Sequence, residues 1–233
     1  VKKIVGTGVL LVLALALQAG VKMYTLKSPD GKVKLEVTAG QGIAYSLFYD
    51  GRLLLKPSRI ALHTDLPEAD HWENIRITGT KQRHVSETVQ APFYRVKEFG
   101  IDCNELELRL NNGFSLLMRA YNDGMAYRFV AGRKGEMTVV EERAEFNFAD
   151  DFEAYIPYST NPKDPWNMAF QNFYTKAPLT QYNTELPAFL PLTVDAGAVK
   201  LTLLESDLEA YPGMFVCGDG KTPALKGVFA AYP

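Results

Sequence analysis

Arg119-Ala120-Tyr121-Asn122-Asp123-Gly124-Met125-Ala126-Tyr127-Arg128-Phe129 sets an Asp-Gly pair between two runs of alternating polarity. Both residues tolerate the positive φ of a two-residue type I′ turn, so the pair predicts a β-hairpin. Leu117, Arg119 and Tyr121 lead into it along one face. Met125, Tyr127 and Phe129 lead out along one face, with Ala126, Arg128 and Val130 on the other. A strand with two unlike faces has this period of two.

Upstream, residues 104–110 read N-E-L-E-L-R-L. Leu106, Leu108 and Leu110 share one face; Glu105, Glu107 and Arg109 share the other, which predicts an antiparallel strand with one solvated face. Asn111-Asn112-Gly113 turns that strand into the hairpin. Nearer the start, Ser28-Pro29-Asp30-Gly31 is a turn cluster, and Val33, Leu35 and Val37 alternate inward after it. Tyr45, Leu47 and Tyr49 form the next run, and Asp50-Gly51 closes a second Asp-Gly hairpin. Residues 63–90 are more polar and carry all three histidines, His63, His71 and His84, together with Trp72. Their irregular spacing and charged neighbours place them on exposed loops and edges rather than at a shared metal site.

Downstream, Thr138 and Val140 begin another short strand. Residues 150–191 then change texture, with six prolines among nine tyrosine, phenylalanine and tryptophan residues. A long proline-punctuated stretch inside a β domain is usually a functional loop or a linker, and so much apolar surface argues against a plain linker. Alternation returns at Val199, Leu201 and Leu203, and residues 227–231 read as a last strand. No window carries a helical stripe. Many short strands between Gly, Asn and Asp turns mean an all-β, antiparallel sandwich or barrel.

The chain has 233 residues, 47% hydrophobic and 22% charged, an ordinary globular balance. A formal net charge of -2 gives no reason to expect nucleic acid or an anionic membrane as partner. Lys2 and Lys3, the apolar run over residues 9–17 and the small Ala19 and Gly20 have the layout of a secretory signal peptide over residues 1–19. The run is short for a membrane span, which takes about 20 residues. This predicts an exported, periplasmic domain over residues 24–233. In an oxidising compartment Cys103 and Cys217 are compatible with one disulfide or with two separate buried thiols.

No nucleophile elbow, P-loop, zinc-protease helix or dinucleotide fingerprint is present. The acid pairs Glu141-Glu142 and Asp150-Asp151 point to opposite faces if extended. Glu205 and Asp207 share a face only if a strand persists there. Solvated surface carboxylates are the favoured reading of all three. Trp166, Phe170 and Tyr174 with Asn167, Gln171 and Asn172 offer what a sugar needs: aromatic faces for its C–H surface and amides for its hydroxyls. The plain alternative is that these aromatics pack a long loop onto the sheet.

Ser28-Pro29-Asp30-Gly31, Asn104-Glu105-Leu106, the residue 121–129 hairpin, Tyr155-Ile156-Pro157, Glu205-Ser206-Asp207-Leu208 and Tyr211-Pro212-Gly213-Met214 together resemble the N-terminal domain of glycoside hydrolase family 97. The resemblance implies a β-super-sandwich of the galactose-mutarotase-like kind, here without its last strands, that precedes a (β/α)8 catalytic barrel. It implies hydrolysis of α-glucosidic or α-galactosidic bonds by that barrel, so no catalytic residue is expected on this chain. An oligosaccharide or small sugar and the barrel are the implied partners. Trp166, Phe170 and Asn172 are the expected sugar-facing residues. In α-glucosidase members a glutamate of this loop helps bind the active-site calcium, and Gln171 occupies that position here. A neutral amide oxygen can ligate calcium but contributes no charge. Weaker binding, a different ligand set and a different alignment all fit. The alternatives are a stand-alone carbohydrate-binding module and, with the scattered histidines against it, a mutarotase-like epimerase.

Overall fold

The computed structural model describes residues 22–167, 170–206, 208 and 211–231. The expected signal peptide and Asp207 lie outside the described residues. Fifteen strands follow in order: β1 (Lys22–Lys27), β2 (Val33–Gly40), β3 (Gly42–Tyr49), β4 (Arg52–Thr64), β5 (Ile77–Gln90), β6 (Glu98–Leu110), β7 (Phe114–Tyr121), β8 (Gly124–Ala131), β9 (Val139–Asn147), β10 (Glu153–Ile156), β11 (Thr175–Pro178), β12 (Leu192–Asp195), β13 (Lys200–Leu203), β14 (Met214–Gly218) and β15 (Ala224–Phe229). They form a seven-stranded sheet, β1-β2-β3-β4-β9-β15-β14, and two four-stranded sheets, β5-β6-β7-β8 and β11-β10-β12-β13. Every named pairing is antiparallel.

The first two sheets face each other. Leu35, Val37, Ile43, Tyr45 and Ile60 from the seven-stranded sheet are buried in one cluster with Leu106, Leu108, Leu116 and Met118 from the second. Each fully buried aliphatic side chain stabilises by about 1.5–3 kcal/mol over leaving it in water, which is why the alternation fixes the register. The third sheet joins the same cluster through Ala154, Ile156, Leu192 and Val194. Backbone bridges Tyr158–Ala188–Val216 tie it to β14. Trp72 is buried against Phe114 and Phe129, its indole N–H donating to the Leu62 carbonyl at 3.0 Å.

Two local expectations change. Asp50-Gly51 forms its hairpin as expected, with φ of 48° and 79°, between paired Tyr49 and Arg52. At the other Asp-Gly pair Tyr121 pairs with Gly124, so the turn residues are Asn122-Asp123 and neither has positive φ. Asn122 there accepts a hydrogen bond from the Asp30 amide at 3.0 Å. The second hairpin is thus docked on a distant turn, and its dipeptide's tolerance of left-handed backbone goes unused. Residues 77–90, placed among exposed loops and edges, form such an edge: β5, a long strand at the margin of its sheet.

Glu105 also departs from the expected solvated face, being only 4% exposed. Arg83 and Arg119, its partners on β5 and β7, both reach its carboxylate, at 2.6 and 2.8 Å. Burial alone would raise its pKa. The two guanidinium hydrogen bonds outweigh that and hold the carboxyl below the usual range. Cys103 and Cys217 are both free thiols.

Candidate functional site

The expected loop over residues 150–191 contains two short paired strands. β10 and β11 pair from Glu153–Pro178 to Ile156–Thr175, leaving residues 157–174 as the loop they carry. The tip is irregular, and its base is tied down. The Ser159 amide donates to the Pro187 carbonyl at 2.8 Å, and the Phe189 amide to the Pro157 carbonyl at 3.0 Å. The Tyr158 hydroxyl accepts from the Asn183 amide at 2.8 Å, and its ring meets Tyr182 edge-on.

Phe215 on β14 is the floor. Trp166 stands edge-to-face on it with centroids 4.9 Å apart, and Phe170 lies 5.9 Å from it and 5.8 Å from Phe189. Trp166 is half-buried, so part of its surface serves to dock the loop. Phe170 stays 52% exposed and has a positive φ of 53°, which turns the chain sharply. Asn172 uses its amide internally: Nδ2 donates to the Tyr158 carbonyl and Oδ1 accepts from the Phe173 amide, both at 2.9 Å. Gln171 lies exposed beside it.

The most exposed aromatic of the loop is Phe173, at 94%, with Tyr174 beside it. Tyr155 on β10 is exposed at the loop's root. Reading the sequence passed over Phe173 and Tyr155 as platform residues. The strand pairing gives the signal for Tyr155, which alternates with buried Ala154 and Ile156. No comparable local signal marks Phe215.

Among the acid pairs Glu141, Asp150 and Asp151 are exposed as expected, and two other members need correction. Glu142 and Glu205 are half-buried, not solvated. Glu142 on β9 accepts the Tyr211 hydroxyl at 2.7 Å. Glu205 lies beyond the end of β13 and accepts the Met214 amide at 2.8 Å, next to the floor residue Phe215. Burial raises both carboxyls above their ordinary values, and the Glu205 charge raises Glu142 further. These two acids hold the start of β14 in place, and each already has a hydrogen-bond partner within the fold.

Two grooves open elsewhere. One, of about 450 Å3, runs between β1 and the β5–β6 pair and includes His84 and Glu105. Two of its ionisable groups are engaged: Glu105 by two arginines, and His84 by Asp102 and Asn104, each at 3.1 Å. The other, of about 330 Å3, is lined by residues of β2 to β4 and β9. His63 pairs with Asp70 at 2.6 Å, far along the chain from His84 and in another sheet. Among the described residues no three His, Cys, Asp or Glu side chains are placed to hold a metal ion. Calcium takes about 6–8 oxygen ligands, of which the exposed Gln171 amide could supply one, without charge.

A family model described as the glycosyl-hydrolase 97 N-terminal domain matches residues 26–232. A retaining α-galactosidase of Bacteroides thetaiotaomicron is 39% identical over 226 residues, covering 94% of this chain and 34% of that protein. A glycoside hydrolase family 97 enzyme from Pseudoalteromonas sp. strain K8, solved with acarbose, superposes with a TM-score of 0.73 at 18% identity over 88% of this chain and 32% of that one. A β-arabinopyranosidase superposes with a TM-score of 0.76 at 20% identity, over 89% and 35%. The chain therefore spans about a third of the length of the relatives it matches.

Proposed function

Since this chain belongs to the glycosyl-hydrolase 97 N-terminal family, we propose that it is the β-sandwich domain of an exported, periplasmic α-glycosidase that cleaves α-galactosidic bonds with retention. The observation that carries the bond type is the 39% identity to a retaining α-galactosidase across nearly all of this chain. Acid and nucleophile come from the catalytic portion, where retention calls for two carboxyls about 5–5.5 Å apart. No residue described here supplies them.

This domain's own part is to shape the sugar pocket. The loop over residues 157–174 offers Phe170 and Phe173 as exposed rings, and Phe170 and Trp166 both rest on Phe215. Asn172 holds the loop's shape through Tyr158 and Phe173 rather than offering a free amide. Any calcium in the whole enzyme rests mainly on carboxylates outside this chain, with Gln171 giving at most an oxygen at its edge.

The test is to express the complete reading frame and assay nitrophenyl α-galactoside against α-glucoside, following the anomer first released by proton NMR. Faster α-galactoside cleavage releasing the α-anomer is expected. Preference for the glucoside, or release of the β-anomer, sinks the proposal.

A further inference from the structure

β5 and β6 continue to pair well beyond the sheet that supports them. β7 reaches along β6 only to Cys103, the partner of Tyr121. The β5–β6 ladder runs on from Val85–Cys103 to Gln90–Glu98. Val85 and Cys103 are also its last buried pair; every described residue from 86 to 102 is exposed except half-buried Ala91 and Ile101. A bare two-stranded ribbon is marginal in water. This one ends in apolar surface: Phe93 is 97% exposed and Tyr94 69%, with Val89, Val96 and Phe99 around them.

The charges exclude an electrostatic partner. Glu87 and Glu98 balance Arg95 and Lys97. Glu98 also accepts from Gln90, and Lys97 donates to the Pro92 carbonyl. Nothing at the tip selects a polyanion or an anionic membrane. Size argues against a second copy. An aromatic side chain buries about 150–250 Å2, so this tip supplies about 500 Å2, whereas a stable independent interface takes about 800 Å2 from each partner. A covalently linked partner needs less area, because tethering supplies a high effective concentration. The matched relatives are about three times as long as this chain.

We propose that the β5–β6 ribbon is a docking arm whose apolar tip, centred on Phe93 and Tyr94, seats on an apolar surface of the catalytic portion of the same polypeptide. This rests on the functional reading above and adds to it a second contact, separate from the residue 157–174 loop.

Trypsin cleaves after arginine and lysine, and Arg95 and Lys97 lie at the tip. The complete polypeptide is compared with its Phe93→Ser/Tyr94→Ser variant. Fragments ending at Arg95 or Lys97 are counted by mass spectrometry, and hydrogen exchange over residues 86–100 is followed in the unmutated protein. Cleavage on the order of tenfold slower in the unmutated protein, at every protein concentration, is expected, as is slowed exchange over the ribbon. Equal cleavage of both, or protection that grows with protein concentration, overturns the arm's assignment. Glycosidase activity is assayed in parallel. An active enzyme with an unprotected tip defeats the docking alone, whereas protection without any hydrolysis defeats the functional reading and leaves the docking standing.

Discussion

The β5–β6 ribbon and the residue 157–174 loop both expose aromatic rings, yet they are built in opposite ways. The ribbon is regular: its backbone is paired residue by residue while almost nothing packs on it. The loop is irregular, and it is held by backbone ties, by Asn172 and by two rings on Phe215. Hydrogen-bonded regularity and tertiary support are thus separate properties, and the ribbon has the first with little of the second. Their foundations differ in kind too. An Arg83–Glu105–Arg119 ion triad clamps the ribbon's root, and half-buried carboxyls hold the strand under the loop.

The largest effect should come from removing the loop's floor. Phe215→Ala takes the support from Trp166 and Phe170 and should cost about 3–5 kcal/mol. Thermal unfolding reads the loss, and proteolysis should move into residues 157–174. An unchanged Tm would mean that the loop does not rest on that ring.

At the ribbon's root, Glu105→Gln leaves two guanidinium groups without their anion and should cost about 2 kcal/mol at neutral pH. The folded Glu105 carboxyl titrates below its unfolded value. Its contribution is therefore full above the ordinary glutamate pKa and fades as pH falls through the depressed one. Glu142 and Glu205 have the opposite sign, being raised in the fold. Their contribution is greatest below the ordinary glutamate pKa and is lost as pH rises through the folded values. Denaturation at a series of pH values should show Glu105→Gln flattening the acid side of the stability curve. Glu142→Gln should instead make stability fall less as pH rises above about 4.5. Identical curves for the two variants would remove the distinction between root and floor.

Asn172→Ala should cost about 1 kcal/mol by freeing the Tyr158 carbonyl and the Phe173 amide. Hydrogen exchange should quicken at the tip of the loop and leave β10 and β11 unchanged. The smallest effect is expected at the other tip. In this domain alone Phe93→Ser should shift stability by no more than about 0.5 kcal/mol, since its ring touches almost nothing. A larger loss would show that the tip folds back onto its own sandwich.

Local chemistry made much of the fold legible. Val33, Leu35 and Val37 declared a buried face because successive strand residues point to opposite sides, and Asp50-Gly51 declared a turn because both residues accept positive φ. Those constraints act within a few residues, so a one-dimensional reading captures them. Long-range pairing settled the rest. Glu105 could be buried only because Arg83 and Arg119 come in from neighbouring strands, and nothing in N-E-L-E-L-R-L announces them. Asn122 turns its chain while bound to Asp30, and Trp166 faces a floor supplied by Phe215 on a strand of another sheet. Whether an acid is solvated or an aromatic ring is free depends on what arrives opposite it. Strand order makes that decision, and alternation along a single strand carries no record of it.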